Sequence, residues 1–426
     1  MNAFALALAY LRARALNTAL NVLLLSLGIA TISVLLLVSH QLGERMLRDG
    51  RGIDLVVGAK GSPVQLILSA VYQVDFPTGN IPLAEAERLR AHPMVRETIP
   101  LALGDSFQGQ RIVGTEHAYA AHYGASLAEG RLWQAPFEAT LGARAAATTG
   151  LRVGDRFFGA HGLAGGDHLH VHEEHPYEVV GVLAPTGTVI DRLILTPVET
   201  VWAVHEHGDA PHVDEPPVDA VAMHEDEHEH EHEHEHEHED DHAADARQIT
   251  ALLIKYATPL AAVSLPREIN DGTAMQAASP AMETARLLSL VGMGLDTLRA
   301  FGWLLVASAA LSIFIALYNA MRERRHDLAI MRSLGARPAM LFAEVMLEGL
   351  LMVAAGVALG LLLGHGTTAL IGAWLSEARE IGLGGGLWLA QEYGLIAGAL
   401  LFGALASLLP ALLAYRTDIA TTLARR

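Results

Sequence analysis

The chain of 426 residues is 51% hydrophobic, with a mean hydropathy of +0.30, yet carries 29 basic against 47 acidic side chains and a formal charge of −18. An apolar average and a large negative charge coexist only where the two kinds of residue are segregated along the chain. The charge excludes nucleic acid as the main partner, because phosphate binding needs a basic face, and the absence of cysteine excludes disulfides, thiolate metal sites and a cysteine nucleophile.

The first apolar run is Ala19–Val38, preceded by Arg12 and Arg14. It is long enough to cross a bilayer, which takes about 20 residues. It exceeds the roughly 7–15 residues of a signal-peptide core, and no small-x-small site closes it, so it reads as an uncleaved helix.

Residues 41–296 alternate strand-like and helical signals. Ile53–Val57, Val95–Leu103, Arg111–Gly114, Arg156–Phe158, Tyr177–Leu183 and Leu193–Leu195 read as strands, and Leu83–His92 as a helix stopped by Pro93. This is a mixed α+β domain, followed over 280–299 by a helical stalk that leads into the second apolar run, Ala300–Met321. The third and fourth runs are Gly349–Ile371 and Tyr393–Tyr415. The expected divisions are an amphipathic helix over 1–18, spans over 19–40, 300–321, 349–373 and 393–415, an outer core over 41–279, a link over 322–348, a short loop over 374–392 and a tail over 416–426. Gly356, Gly360 and Gly364 recur on one helix face, as do Ala399, Gly403 and Ser407. The spacing is that of closely approaching membrane helices, and also what a Gly- and Ala-rich span contains by composition. His365 reads as an interfacial residue.

Arginine sets the orientation. Arg322, Arg324, Arg325, Arg332 and Arg337 lie between the second and third runs, and both termini are basic as well. The positive-inside rule then puts the termini and the link in the cytoplasm and the α+β domain outside. From Glu44 to Asp296 the chain holds 39 of its 47 acidic residues, so the segregation is a topological one. The only lysines, Lys60 and Lys255, follow Ala59 and Ile254, so the Gly-Lys-Ser/Thr phosphate loop is absent. ATP energy would have to come from another subunit. No nucleophile–base constellation points to an enzyme.

Nineteen of the 22 histidines lie between His92 and His242. His168, His170, His172 and His175 form a short cluster within an insertion at 161–175; as a strand it would put the first three on one face. His224, His228, His230, His232, His234, His236, His238 and His242 form a second cluster within 205–242, a stretch too polar to supply a core. Imidazoles interleaved with carboxylates suit zinc or another divalent metal. A solvated repetitive loop and a pH-responsive loop are the other readings.

The link Glu323–Leu351, ERRHDLAIMRSLGARPAMLFAEVMLEGLL, resembles the signature of the FtsX/MacB-like permeases, membrane subunits of ABC transporters sometimes called type VII. The match runs through Arg325, Asp327, Leu328, Ile330, Arg332, Gly335, Ala336 and Glu348. The tail is similar through Pro410, Ala411, Ala414 and Arg416, and the outer domain through Val153–Gly159 and Tyr177–Trp202. The resemblance implies four transmembrane helices, with a large α+β periplasmic domain between the first and second and a helical stalk, in a bacterial inner membrane. It implies Arg324, Arg325, Asp327, Arg332, Gly335 and Ala336 as the segment that contacts a separate cytoplasmic ATPase. It also implies a homodimer or paired permease, and a periplasmic partner or lipid-borne cargo. The 426 residues carry no ATPase motif, so the ATPase is expected on a separate subunit, and the His-rich insertions depart from the family pattern. The alternative is an FtsX-like regulatory module that activates a periplasmic enzyme without transport.

The cysteine-free chain lets the topology be read directly. In intact spheroplasts, a membrane-impermeant thiol reagent is expected to label Gly150→Cys and to leave Arg332→Cys unlabelled; labelling at position 332 would overturn the orientation.

Overall fold

Polypeptide backbone has no water to bond inside a bilayer, so a span must satisfy itself as a helix. The computed structural model describes residues 3–161, 175–206, 247–375 and 382–416. The chain opens with α1 (Ala3–Ala13) and α2 (Ala15–Asp49). An α+β segment follows: β1 (Leu55–Ala59), α3 (Pro63–Ala70), β2 (Ile81–Pro82), α4 (Leu83–Arg90), β3 (Val95–Phe107), β4 (Gln110–Thr115), α5 (His117–His122), β5 (Leu127–Gly130), β6 (Glu138–Leu141) and α6 (Ala143–Thr149). It continues with β7 (Arg156–Phe157), β8 (Ala160–His161), β9 (Tyr177–Leu183), β10 (Leu193–Pro197), α7 (Val198–Glu206), β11 (Gln248–Ile249), β12 (Ala251–Tyr256), α8 (Ala261–Gly272) and β13 (Met275–Ala278). Helices α9 (Pro280–Glu323), α10 (Arg325–Ser333), α11 (Pro338–Trp374) and α12 (Ala390–Tyr415) complete it. The chain divides into a helical unit, Met1–Arg45 with Leu288–Arg426, and an inserted unit, Met46–Leu287.

Among the described residues four helices, α2, α9, α11 and α12, are long and apolar enough to cross a membrane. Each of the four apolar runs lies within one of these helices; α9 and α11 begin well before their runs and α2 continues past its own, because backbone hydrogen bonding does not stop where the side chains change. The fold is thus a four-span membrane protein with an α/β domain between its first and second spans.

The inserted unit is built on a mixed sheet in the order β13-β1-β12-β3-β4-β10-β6-β9-β5, with β7 on β9 and β8 on β3. β4 and β10 run parallel, as do β6 and β9; the other pairs are antiparallel. Helices cover both faces, and the alternation of side chains along each strand sorts them. Val56, Leu101 and Leu253 pack with Ile67 of α3 and Tyr119 of α5, whereas Leu55, Val57, Leu252 and Ile254 pack with Leu89 of α4 and Leu265 and Ile269 of α8. Strand β1 starts at Leu55, two residues later than the sequence pattern suggests: the Ile53 N–H closes a turn onto the Gly50 carbonyl at 3.3 Å, and the Asp54 carboxylate accepts the Tyr256 backbone N–H at 2.7 Å.

Two arginines, Arg111 buried and Arg192 half-buried, shape the turn after α3. Arg111 donates to the carbonyls of Ser69 at 3.2 Å and Asp75 at 2.7 Å and to Gln73 Oε1 at 3.2 Å. Burial, helped by the neighbouring positive charge of Arg192, pushes its guanidinium down to about 10. Arg192 donates to the Tyr72 carbonyl. The turn leaves Val74 and Phe76 exposed. Tyr72 itself is buried, and its hydroxyl donates to the Met46 carbonyl at 3.2 Å and shares a short hydrogen bond with Thr284 Oγ1.

In the helical unit the glycine stripe has a definite partner. A Cβ on Gly356 would sit 2.7 Å from Leu25 Cδ2, one on Gly360 2.6 Å from Ile29 Cβ, and one on Gly364 2.8 Å from Ser33 Cβ. The second small stripe works similarly: a Cβ on Gly403 would sit 2.2 Å from Val353 Cγ2. Gly360→Ala is therefore expected to lower the melting temperature of the purified protein, overpacking typically costing about 1–3 kcal/mol. Gly366→Ala, on the same helix with nothing within 4 Å of the new methyl, is expected to be neutral or slightly stabilising. Equal melting temperatures for the two variants would count against the close contact.

Candidate coupling site

The segment between α9 and α11 is a helix–turn unit written in its residues. Arg324 leaves helical geometry at φ −92°, ψ 7°, and α10 begins at Arg325. Leu334 caps α10, and Gly335 takes φ +97°, a left-handed conformation that favours glycine. Gly335 N donates to the Arg332 carbonyl and Ala336 N to the Met331 carbonyl, both at 3.0 Å, the paired bonds of a Schellman motif. Pro338 then supplies the first turn of α11.

Arg324 points inward and is 9% exposed. Its guanidinium carbon lies 3.5 Å from the ring centre of Tyr10 on α1. Its Nη1 and Nη2 each lie 3.4 Å from a Glu348 oxygen, and Nη1 is 3.7 Å from Glu344 Oε1. Arg324 thus joins α1 and α11 at the junction of α9 and α10. Arg14 pairs with Glu323 nearby, in a more exposed setting.

The other expected contact residues lie elsewhere on the segment. Arg332, half-buried, is in the last turn of α10. Gly335 and Ala336 lie in the turn after it and line a cavity of 260 Å³ together with Leu6, Met331, Leu334, Met340, Leu341 and Glu344. Arg325 and Asp327 belong to α10, and their side chains lie outside the described set. Tyr10 and Glu344 went unnoticed in the sequence, since a single tyrosine and one glutamate in an apolar helix carry no local pattern.

A second polar contact joins α2, α11 and α12. Glu392 is fully buried; its Oε1 accepts from Ser33 Oγ at 2.8 Å and its Oε2 from Leu389 N at 3.0 Å. His365 Nε2 is 2.9 Å from Glu392 Oε1, without the alignment of a hydrogen bond, while Nδ1 is 2.7 Å from the Gly385 carbonyl. The His365 ring stacks on Trp388 at 5.4 Å. His365 is thus part-buried among Gly385, Trp388 and Glu392.

Of the histidine clusters, His168, His170, His172 and the whole of His224–His242 lie outside the described residues. His175 is described, and its ring stacks on Phe137 at 5.0 Å. Among the described residues no group of three His, Cys, Asp or Glu side chains could hold a metal ion.

Two family models match along the chain, an FtsX-like permease C-terminal region over residues 299–419 and a MacB-like periplasmic core domain over residues 18–224. The chain belongs to the FtsX/MacB-like permease family. The FtsX-like match contains the whole Arg324–Glu348 cluster and its cavity wall from Met331 onward. Among solved structures, this FtsX/MacB-like permease is similar to the periplasmic region of MacB from Actinobacillus actinomycetemcomitans, at 11% identity and a TM-score of 0.33, covering 57% of this chain and 96% of that one. It is also similar to the extracellular domain of the noncanonic ABC-type transporter YknZ from Gram-positive bacteria, at 12% identity and a TM-score of 0.28, covering 53% and 99%. No match was found among curated proteins.

Removing Arg324 leaves two buried carboxylates without their cation. Breaking such a buried pair costs about 3–5 kcal/mol, so Arg324→Met is expected to abolish or strongly lower the yield of folded permease in detergent. Arg324→Lys keeps the charge but loses the two-armed contact with Glu348, and should melt between wild type and Arg324→Met. A melting curve unchanged in both variants would remove Arg324 from this role.

Proposed function

We propose that the chain is the membrane subunit of an ABC transport complex, coupling ATP hydrolysis on a separate cytoplasmic ATPase to movement of its inserted domain. The observation that carries this reading is the α10 turn unit: a short helix with Arg332 in its last turn, closed by Gly335 and set between two membrane-spanning helices. Helices α2 and α9 belong to both units without a break, and a continuous helix transmits displacement along its length. At 1.5 Å per residue, α9 is roughly 66 Å long, about twice the hydrocarbon core of a bilayer. Two copies, each with an ATPase in the cytoplasm of a bacterial inner membrane, would drive their periplasmic domains against a periplasmic partner or a lipid-borne cargo.

Arg332→Glu and Gly335→Pro test the docking. Charge reversal opposes an acidic docking surface. Proline removes the Gly335 N–H that closes α10 and cannot adopt positive φ. Both variants should insert normally yet lose most co-purification with the ATPase and most of its stimulated activity. Retention of both in the two variants would discard ATPase docking at α10.

The histidine segments make this a zinc- or other divalent-metal-linked system in the same reading. We assign weak, multiple sites to His224–His242 and a tighter one to His168, His170, His172 and His175, which precede β9 in the sequence; ligands anchored next to a strand would lose less chain entropy on binding. Calorimetry on the full chain should show many weak zinc sites that vanish when His224–His242 is deleted, with the tighter site retained. Binding should weaken below about pH 6.5, as free imidazole protonates. Loss of all binding on that deletion would eliminate the tighter site.

A further inference from the structure

The cavity beside α10 has an unusual wall. Its lining is apolar apart from Glu344, which is 1% exposed and whose two carboxylate oxygens accept no hydrogen bond. The nearest cation among the described residues, Arg324, is 3.7 Å from one of those oxygens and already spends both arms on Glu348. Arg14 is paired with Glu323. Two buried carboxylates therefore share one guanidinium, and the carboxylate left short of a partner faces the empty space. A buried acceptor without donors is costly, and a buried charge more so.

We propose that this cavity receives an alkylammonium group, supplied by a lysine side chain of the ATPase docked against α10. The inference rests on the docking reading above and adds to it the partner's chemistry. Leu6, Met331, Met340 and Leu341 would enclose the methylene stem, and Glu344 would accept from the ammonium. Lysine fits better than arginine here. An ammonium has three N–H donors, two of which the bare Glu344 oxygens satisfy, whereas a guanidinium brings five into a wall with no other side-chain acceptor. Gly335 also lines the cavity, and an added Cβ there would find nothing within 4 Å.

The probe is n-butylammonium chloride, which has the atoms of a lysine side chain, added to the full-length permease in detergent. Sodium chloride at equal ionic strength and butan-1-ol serve as controls. A saturable rise in melting temperature is expected with the amine and with neither control. The apparent affinity should fall at least about tenfold in Glu344→Gln, which removes the charge-assisted bonds. Ala336→Phe, which fills the cavity and leaves the carboxylate in place, should lose binding too. In the second arm, rising butylammonium should displace the ATPase from wild-type permease, and both variants should co-purify less of it. No saturable response to the amine, or an equal one in Glu344→Gln, would overturn the site. Amine binding that leaves ATPase association untouched would overturn the lysine as its source. If Arg332→Glu loses the ATPase while Glu344→Gln and Ala336→Phe keep it, docking at α10 stands and the cavity has no part in it.

Discussion

Within a bilayer there is no hydrophobic gain in moving one apolar helix onto another, so membrane helices associate through shape, polar contacts and close backbone approach. Here that constraint is met where α2 lies along the glycines of α11. Leu25, Ile29 and Ser33 occupy the space that side chains at Gly356, Gly360 and Gly364 would fill. Ser33, once brought there, reaches Glu392 of α12, and the same carboxylate meets His365 of α11. One stripe of missing side chains thus positions a helix and assembles a polar contact among three helices.

The other end of α11 is governed by charge rather than shape. Arg324 is held by an aromatic face from α1 and by carboxylates from α11, so three separate stretches of chain, its own included, meet there. Its burial gives the start of α10 a fixed origin, and the Schellman turn at Gly335 fixes its end. A short helix pinned at both ends presents its remaining surface in a defined attitude, which a loop of the same length could not do. Leu334, 82% exposed at the tip, is part of that surface.

Features that repeat over many residues were legible in the sequence. The four spans follow from runs of apolar residues, and the strands from short apolar blocks: Tyr177–Leu183 as read, and Leu193–Leu195, which the structure extends to Pro197. The left-handed turn at Gly335 was legible because glycine at the end of a helical stretch has few other reasons to be there. What stayed hidden was pairing at a distance. Arg324 looked like one arginine among several, and nothing local distinguishes it, which turns inward to Glu348, from Arg322 and Arg337, which stay exposed. Glu392 escaped because it sits in the first turn of α12, where an acidic residue is ordinary capping chemistry, and its contact with Ser33 spans most of the chain. The glycine stripes had two readings in sequence, and only the positions of Leu25, Ile29 and Ser33 decide between them.

The hydroxyl of Tyr72 touches the last turns of α2 through Met46 and the first turn of α9 through Thr284. Each such bond contributes a net of only about 1 kcal/mol, against the far larger cost of melting either helix. The joint therefore behaves as a shear pin rather than a weld. Small strains on the two helix ends are shared through one oxygen atom, and a large one breaks the pin before it unwinds a helix. Tyr72 and Thr284 are both buried, so a hydroxyl parted from its partner there has that same partner, and not bulk water, as the nearest group to bond again.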